Sequence, residues 1–194
     1  MWSKAPPRQI LDKIYVEARH NVKEMECPPN IQRLYDDHAP ALFGFVLNLL
    51  RNEADTRDVM QELFVKLARS PGLLADVRDE RCFLMHLAHN AAIDLIRRGG
   101  ARERNYDQFA REPMELFAKS ADRDEQFFRE KLAEALGELP AEQRAIVHLK
   151  LWENLTFEAI ARTLEIPLNT AASRYRYGID KLRERLRPIY DEIK

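Results

Sequence analysis

The chain has 194 residues, 45% of them hydrophobic and 32% charged, with a formal net charge of −1. That length allows one large or two small domains, each with a modest core, and the charge excludes a polycation, so any nucleic-acid surface must be a local basic patch. Cys27 and Cys82, in unlike contexts, make no disulfide framework and fit a reducing cytoplasm.

Residues 1–30 read as an N-terminal extension, with Ile10, Ile14, Val22 and Met25 at loosely helical spacing before Pro28-Pro29. There is no signal-peptide core in it. Ile31, Leu34, Tyr35, Leu42, Phe43, Val46, Leu49 and Leu50 then follow a buried helical face. The longest apolar run, Ala41 to Leu50, is too short to span a membrane. Arg51 to Asp55 reads as a turn into a second helix carrying Val59, Met60, Leu63, Phe64 and Leu67, stopped by Ser70-Pro71-Gly72. A third helix is expected from about Asp79 to Arg98, with Gly99-Gly100 past its end. Residues 101–129 mix charges of both signs with weak apolar spacing, which predicts a linker with at most one short helix.

A second helical module is expected from Glu130 to the C-terminus. Leu132, Ala135, Leu136 and Leu139 precede Pro140, which opens a helix to about Leu151. Thr156 can cap the next helix, with Glu158 in its first turn. That helix ends near Leu164, Ile166-Pro167 breaks it, and a final helix runs from about Thr170 to Pro188. A short helix, a tight break and a longer basic helix is the helix-turn-helix order. Ala171, Tyr175, Gly178, Leu182 and Leu186 form the stripe facing the core, and Gly178 on that stripe predicts a close helix approach. Leu168 to Arg187 holds six basic and two acidic residues. Arginine can donate two bonds to a guanine edge, serine can bond a base or phosphate, and the cations offset backbone charge. Ser173, Arg176 and Tyr177 are therefore the expected base readers; a solvated basic helix in a plain bundle is the competing interpretation.

The fold class is all-α: two small helical domains joined by a linker, the C-terminal one containing the helix-turn-helix. Leu139-Pro140-x-x-x-Arg144, Leu155-Thr156-Phe157-Glu158-Ala159-Ile160-Ala161 and Ile166-Pro167-Leu168-Asn169-Thr170-Ala171-Ala172-Ser173-Arg174 resemble region four of bacterial sigma-70 factors, closest to the extracytoplasmic-function (ECF) group. Leu34-Tyr35-Asp36-Asp37-His38, Ala54-Asp55-x-x-Asp58-Val59-x-Gln61-Glu62-x-Phe64-x-x-Leu67 and Arg81-Cys82-Phe83-Leu84-x-x-Leu87-Ala88-x-Asn90-x-x-x-Asp94-x-x-Arg97-Arg98 resemble region two. The resemblance covers Ile31 to about Arg187, with the linker unmatched.

That resemblance implies a promoter-specificity subunit that directs transcription initiation. Residues 31–100 would be region two, binding core polymerase and the −10 element; 101–129 the linker; and 130–194 region four, binding the −35 element. Asp55, Asp58, Gln61, Glu62 and Phe64 would bind core polymerase. Phe83, His86, Asn90, Arg97 and Arg98 would serve the −10 element, with Asp94 orienting one of the arginines. Thr156, Thr170, Ser173, Arg174, Arg176 and Tyr177 would serve the −35 element. The implied partners are core RNA polymerase through its β′ and β subunits, promoter DNA and an anti-sigma factor, in the cytoplasm and without membrane insertion. No catalytic constellation and no cofactor is implied.

The chain departs from the family pattern at several positions. Phe83 stands for the usual tryptophan, and His86 and His89 stand where basic residues are common. Ala171-Ala172 replaces Val-Lys, and Asn169 replaces a glycine, where asparagine tolerates a left-handed turn. Cys82, His86 and His89, at i, i+4 and i+7, could present three zinc ligands, but no fourth is evident. A stand-alone helix-turn-helix regulator with a helical dimerisation or sensing domain is the alternative function.

Overall fold

The computed structural model describes residues 29–102 and 123–193, and most of the expected N-terminal extension and of the expected linker lies outside them. Among the described residues every regular element is helical: α1 (Pro29–Leu50), α2 (Glu53–Arg69), a 3-10 turn (Pro71–Leu74), α3 (Glu80–Arg102), α4 (Arg123–Gly137), α5 (Ala141–Leu151), α6 (Phe157–Thr163) and α7 (Leu168–Ile193). The chain divides into two units that part between Arg98 and Gly99.

In the first unit, Leu34, Leu42, Phe45 and Leu49 of α1 are fully buried, as are Met60 and Leu67 of α2 and Leu84 and Met85 of α3. Two residues join α1 to α2. Arg51 adopts a left-handed φ of 58°, and its N–H still reaches the Leu47 carbonyl at 2.9 Å. Asn52, in extended conformation, then caps α2 by accepting the Asp55 N–H at 2.9 Å. Asp79 does the same for α3 through the Cys82 N–H at 3.0 Å. The Arg33 guanidinium meets Glu80 at 2.6 and 2.9 Å, tying the N-terminal ends of α1 and α3. Tyr35 and Phe64 pack edge to face with centroids 4.9 Å apart, tying α1 to α2.

Gly99 and Gly100 do not end α3, which continues to Arg102. No described glycine has positive φ. Glycine terminates a helix by adopting the left-handed conformation, and without that it only lowers helix propensity, by about 1 kcal/mol per residue against alanine.

In the second unit, Ala135, Leu136, Leu139, Val147 and Leu182 form a buried cluster, with Leu132, Trp152, Tyr175, Ile179 and Leu186 packed against it. Helix α4 begins at Arg123, upstream of the expected start at Glu130. The i, i+4 pairs Arg129–Glu125 (2.6 Å) and Gln126–Glu130 (2.8 Å) support that extra turn despite its weak apolar spacing. Helix α7 starts at Leu168 and passes through Pro188 to Ile193, beyond the expected limits. The Pro167 carbonyl starts it, accepting the Thr170 and Ala171 N–H groups at 2.9 and 3.1 Å.

Candidate nucleic-acid interface

Helix α6 and helix α7 form the helix-turn-helix. The Thr156 hydroxyl oxygen accepts the Ala159 N–H at 3.2 Å, so the predicted cap is made. Glu158 sits just inside that cap. Its carboxyl is held below the usual range, first by its own backbone N–H, then by the Thr156 hydroxyl. The turn that follows closes with the Glu165 N–H on the Arg162 carbonyl (3.3 Å) and the Ile166 N–H on the Ala161 carbonyl (3.0 Å). This is a Schellman arrangement, and it requires a left-handed residue after the last helical carbonyls. Glu165 takes that role with φ 53°, not Asn169, which lies in the first turn of α7.

The predicted stripe of α7 faces inward. Ala171, Gly178 and Leu182 are buried, and Tyr175 and Leu186 are half-buried. A Cβ on Gly178 would fall 2.9 Å from Cγ2 of Val147, so the absent side chain is what lets α7 approach α5. The opposite face carries the expected readers at graded exposure. Arg176 and Tyr177 are exposed, Tyr177 at 55%, while Thr170, Ser173 and Arg174 are half-buried. The Arg176 guanidinium lies 5.3 Å from the centre of the Tyr177 ring, which pairs a cation with a stacking surface. The Ser173 hydroxyl donates to the Thr170 carbonyl at 3.1 Å, leaving its oxygen lone pairs to accept from a ligand. Further along, Arg183 meets Asp180 at 3.4 Å, and Arg185 meets Glu138, in the turn just past α4, at 2.6 Å. Arg185 thus pairs across to the α4–α5 turn, a contact its place in a basic run conceals.

On α3, Phe83 and His86 are half-buried, and Asn90, Arg97 and Arg98 are exposed. The Asn90 amide nitrogen donates to Nε2 of His86 at 3.0 Å, and its oxygen lies 3.3 Å from Nδ1 of His89. His89 also stacks on Phe45, centroids 6.5 Å apart. The two histidines of the zinc spacing are therefore engaged with an amide and a ring. Asp94 reaches Arg97 at 3.8 Å, the predicted orienting contact, between two well-exposed side chains. Such a pair adds little stability, at most about 1 kcal/mol.

On α2, Asp58 and Glu62 are exposed and Asp55 and Gln61 half-buried, so these four share an outer polar face. Burial, and secondly the Asp58 charge, push the Asp55 carboxyl above its usual range. Phe64 is 7% exposed and packs against the Tyr35 ring, so it lies on the core side of α2. Periodicity already placed it on the apolar side of α2, and the motif alone made it a contact.

Sequence reasoning missed a buried pair beneath the α5–α6 turn. Nε2 of His148 lies 3.6 Å from Oε1 of Glu153, the side chains 3% and 6% exposed. Burial, outweighing the attraction of Glu153, pulls the His148 pKa below its usual value. Spacing around a turn gives no periodic signal; a polar residue at an otherwise apolar helical position was the available hint.

These features define a two-module helical protein with a DNA-reading helix-turn-helix at one end. A family model for sigma-70 region 2 matches residues 34–102, and one for sigma-70 region 4 matches residues 135–184. The chain is 33% identical over 162 residues to the RNA polymerase sigma factor CarQ of Myxococcus xanthus, covering 82% of this chain and 91% of that protein. It is 30% identical over 161 residues to the ECF RNA polymerase sigma factor SigL of Mycobacterium tuberculosis, covering 82% and 90%. A solved structure of the sigma factor RpoE from Bartonella quintana, bound to the anti-sigma factor NepR, shares the fold with a TM-score of 0.67 at 19% identity, covering 82% of this chain and 98% of that one. The chain belongs to the sigma-70 family of RNA polymerase sigma factors, in its ECF group. Its function is promoter-specific transcription initiation with core polymerase, which the stand-alone regulator alternative does not account for. No helix among the described residues is long and apolar enough to cross a membrane.

Proposed function

We propose a division of labour within this sigma factor. Residues 31–100 act as region two and residues 130–194 as region four, with α4 extending the latter back to Arg123. The outer face of α2, through Asp55, Asp58, Gln61 and Glu62, docks on a basic helical surface of the polymerase β′ subunit. Helix α3 serves the −10 element. Asn90 offers a donor and an acceptor to an unstacked base, Arg97 and Arg98 meet phosphates, and Phe83 packs beneath them. Helix α7 enters the major groove at the −35 element. Arg176 and Tyr177 read bases there, Ser173, Thr170 and Arg174 lie beside the backbone, and Thr156 acts by holding the N-terminus of α6. An anti-sigma factor is the expected regulator, the cytoplasm the expected location, and the chain itself carries no catalytic step; the bond-forming chemistry is the polymerase's.

One observation carries this reading: Arg176 and Tyr177 are exposed on the face of α7 opposite its buried stripe. The test is to add the chain to sigma-free core polymerase and measure initiation on genomic promoters. Specific initiation, with −35 preference weakened by Arg176→Ala, is the expected result. Failure to bind core, or an unaltered −35 preference in Arg176→Ala, overturns the assignment.

A further inference from the structure

Helix α6 has seven residues, too few to hold its own shape or direction in water, so its orientation comes from what packs on it. Ile160 and Leu164, both buried, hold it from beneath. From the side it is held by Lys150, in the last turn of α5. The Lys150 ammonium donates to the Leu155 carbonyl at 3.0 Å, across the α5–α6 turn in which Asn154 has a left-handed φ of 53°. The same ammonium lies 5.1 Å from the centre of the Phe157 ring, and its charge also favours the ionised Glu158. Phe157 in turn meets the Tyr175 ring of α7 edge to face, centroids 5.3 Å apart. Tyr175 stands between Arg174 and Arg176 in the chain and is packed against the module's core.

A carbonyl oxygen and the face of an aromatic ring are both electron-rich, and one cation satisfies both. An apolar group of the same length serves neither. We infer that Lys150 is a positioning residue for −35 recognition: it clamps the turn to α6 and, through Phe157 and Tyr175, sets the rotation at which α7 presents Arg176 and Tyr177. The inference rests on the assignment of α7 as the −35 reader. It predicts that Lys150 governs discrimination between sequences and not the number of phosphate contacts.

The holoenzyme with full-length protein tests this. The probes are a promoter duplex selected by wild-type holoenzyme from a library randomised at the −35 element, and the same duplex with that element scrambled. Lys150→Met keeps the stem and removes the charge. It should lower the ratio of selected to scrambled affinity by about tenfold, with the salt dependence of binding unchanged. Lys150→Arg, which restores a cation, should recover most of the ratio. An unchanged ratio in Lys150→Met overturns the inference. So does a salt slope lower by about one, since that marks a direct phosphate contact, and so does an equal loss on both duplexes accompanied by a lower melting temperature. Arg176→Ala runs alongside. If it too leaves the ratio unchanged, the reading of α7 itself has failed and the inference with it; if only Lys150→Met is silent, the clamp alone is wrong.

Discussion

Replacing Gly178 with alanine sets two opposed effects against each other. Alanine in a helix interior is favoured over glycine by about 1 kcal/mol. The added methyl, however, lands 2.9 Å from Cγ2 of Val147, with Cβ and the carbonyl of Gln143 at 3.7 and 3.8 Å. Val147 is 0% exposed, and its branched side chain has one favoured rotamer in a helix, so it has nowhere to turn. Overpacking of this kind costs about 1–3 kcal/mol. The net expectation for Gly178→Ala is a destabilisation of about 0–2 kcal/mol. The sharper quantity is its coupling to Val147→Ala, which makes room for the new methyl when the two changes are combined. The double-mutant cycle should show at least about 1 kcal/mol of favourable coupling. Trp152 packs on this core, and the other tryptophan is Trp2. Urea denaturation of the full chain in a Trp2→Phe background, followed by tryptophan fluorescence, therefore reports on the C-terminal module. A stabilisation of about 1 kcal/mol with no coupling would refute the close approach of α7 to α5.

Three further outcomes follow from the caps, the core and the buried histidine. Thr156→Ala should cost the C-terminal module about 1 kcal/mol in thermal or denaturant unfolding, and an NMR titration should find the Glu158 carboxyl shifted up towards its ordinary range. Phe64→Ala should destabilise the N-terminal module by about 3–5 kcal/mol, whereas Glu62→Arg should change stability by no more than about 0.5 kcal/mol yet weaken binding to core polymerase. Calorimetry and a polymerase-binding assay together distinguish the core role of Phe64 from the surface role of Glu62. Because the folded protein holds the His148 pKa below its unfolded value, unfolding takes up a proton. This contribution to stability is therefore present above about pH 6.5 and is lost as pH falls below it, with a slope of up to about 1.4 kcal/mol per pH unit. His148→Gln should flatten that slope in denaturation measured between about pH 6.5 and 5.

The parts of the fold that were legible in the sequence are those set by local repetition. The stripe Ala171–Tyr175–Gly178–Leu182–Leu186 and the Thr156 cap each follow from spacing within one or two turns, and both are present. The sequence was a poorer guide to which residue of a turn adopts the left-handed conformation. Gly99-Gly100 and Asn169 carry the usual composition signal, yet the Schellman hydrogen bonds select Glu165 by its position after α6. Contacts that close across a turn or between helices, such as His148–Glu153, Arg185–Glu138 and Lys150–Phe157, depend on tertiary placement that no single periodicity encodes. Around the candidate site, the exposure of Arg176 and Tyr177 was readable as the outward complement of an apolar stripe, and the burial of Phe64 follows its helical phase in α2 rather than its motif position.

The shortness of α6 has a consequence for how promoter affinity responds to change. A seven-residue helix has no stability apart from the helices around it, so the amides of Ile160 and its neighbours should exchange with solvent only when the whole C-terminal module opens. No partly folded form then retains a weakened reading head. A substitution in the buried cluster would divide the protein into competent and incompetent molecules. Apparent −35 affinity would fall in proportion to the competent fraction, while each competent molecule keeps its full discrimination between sequences.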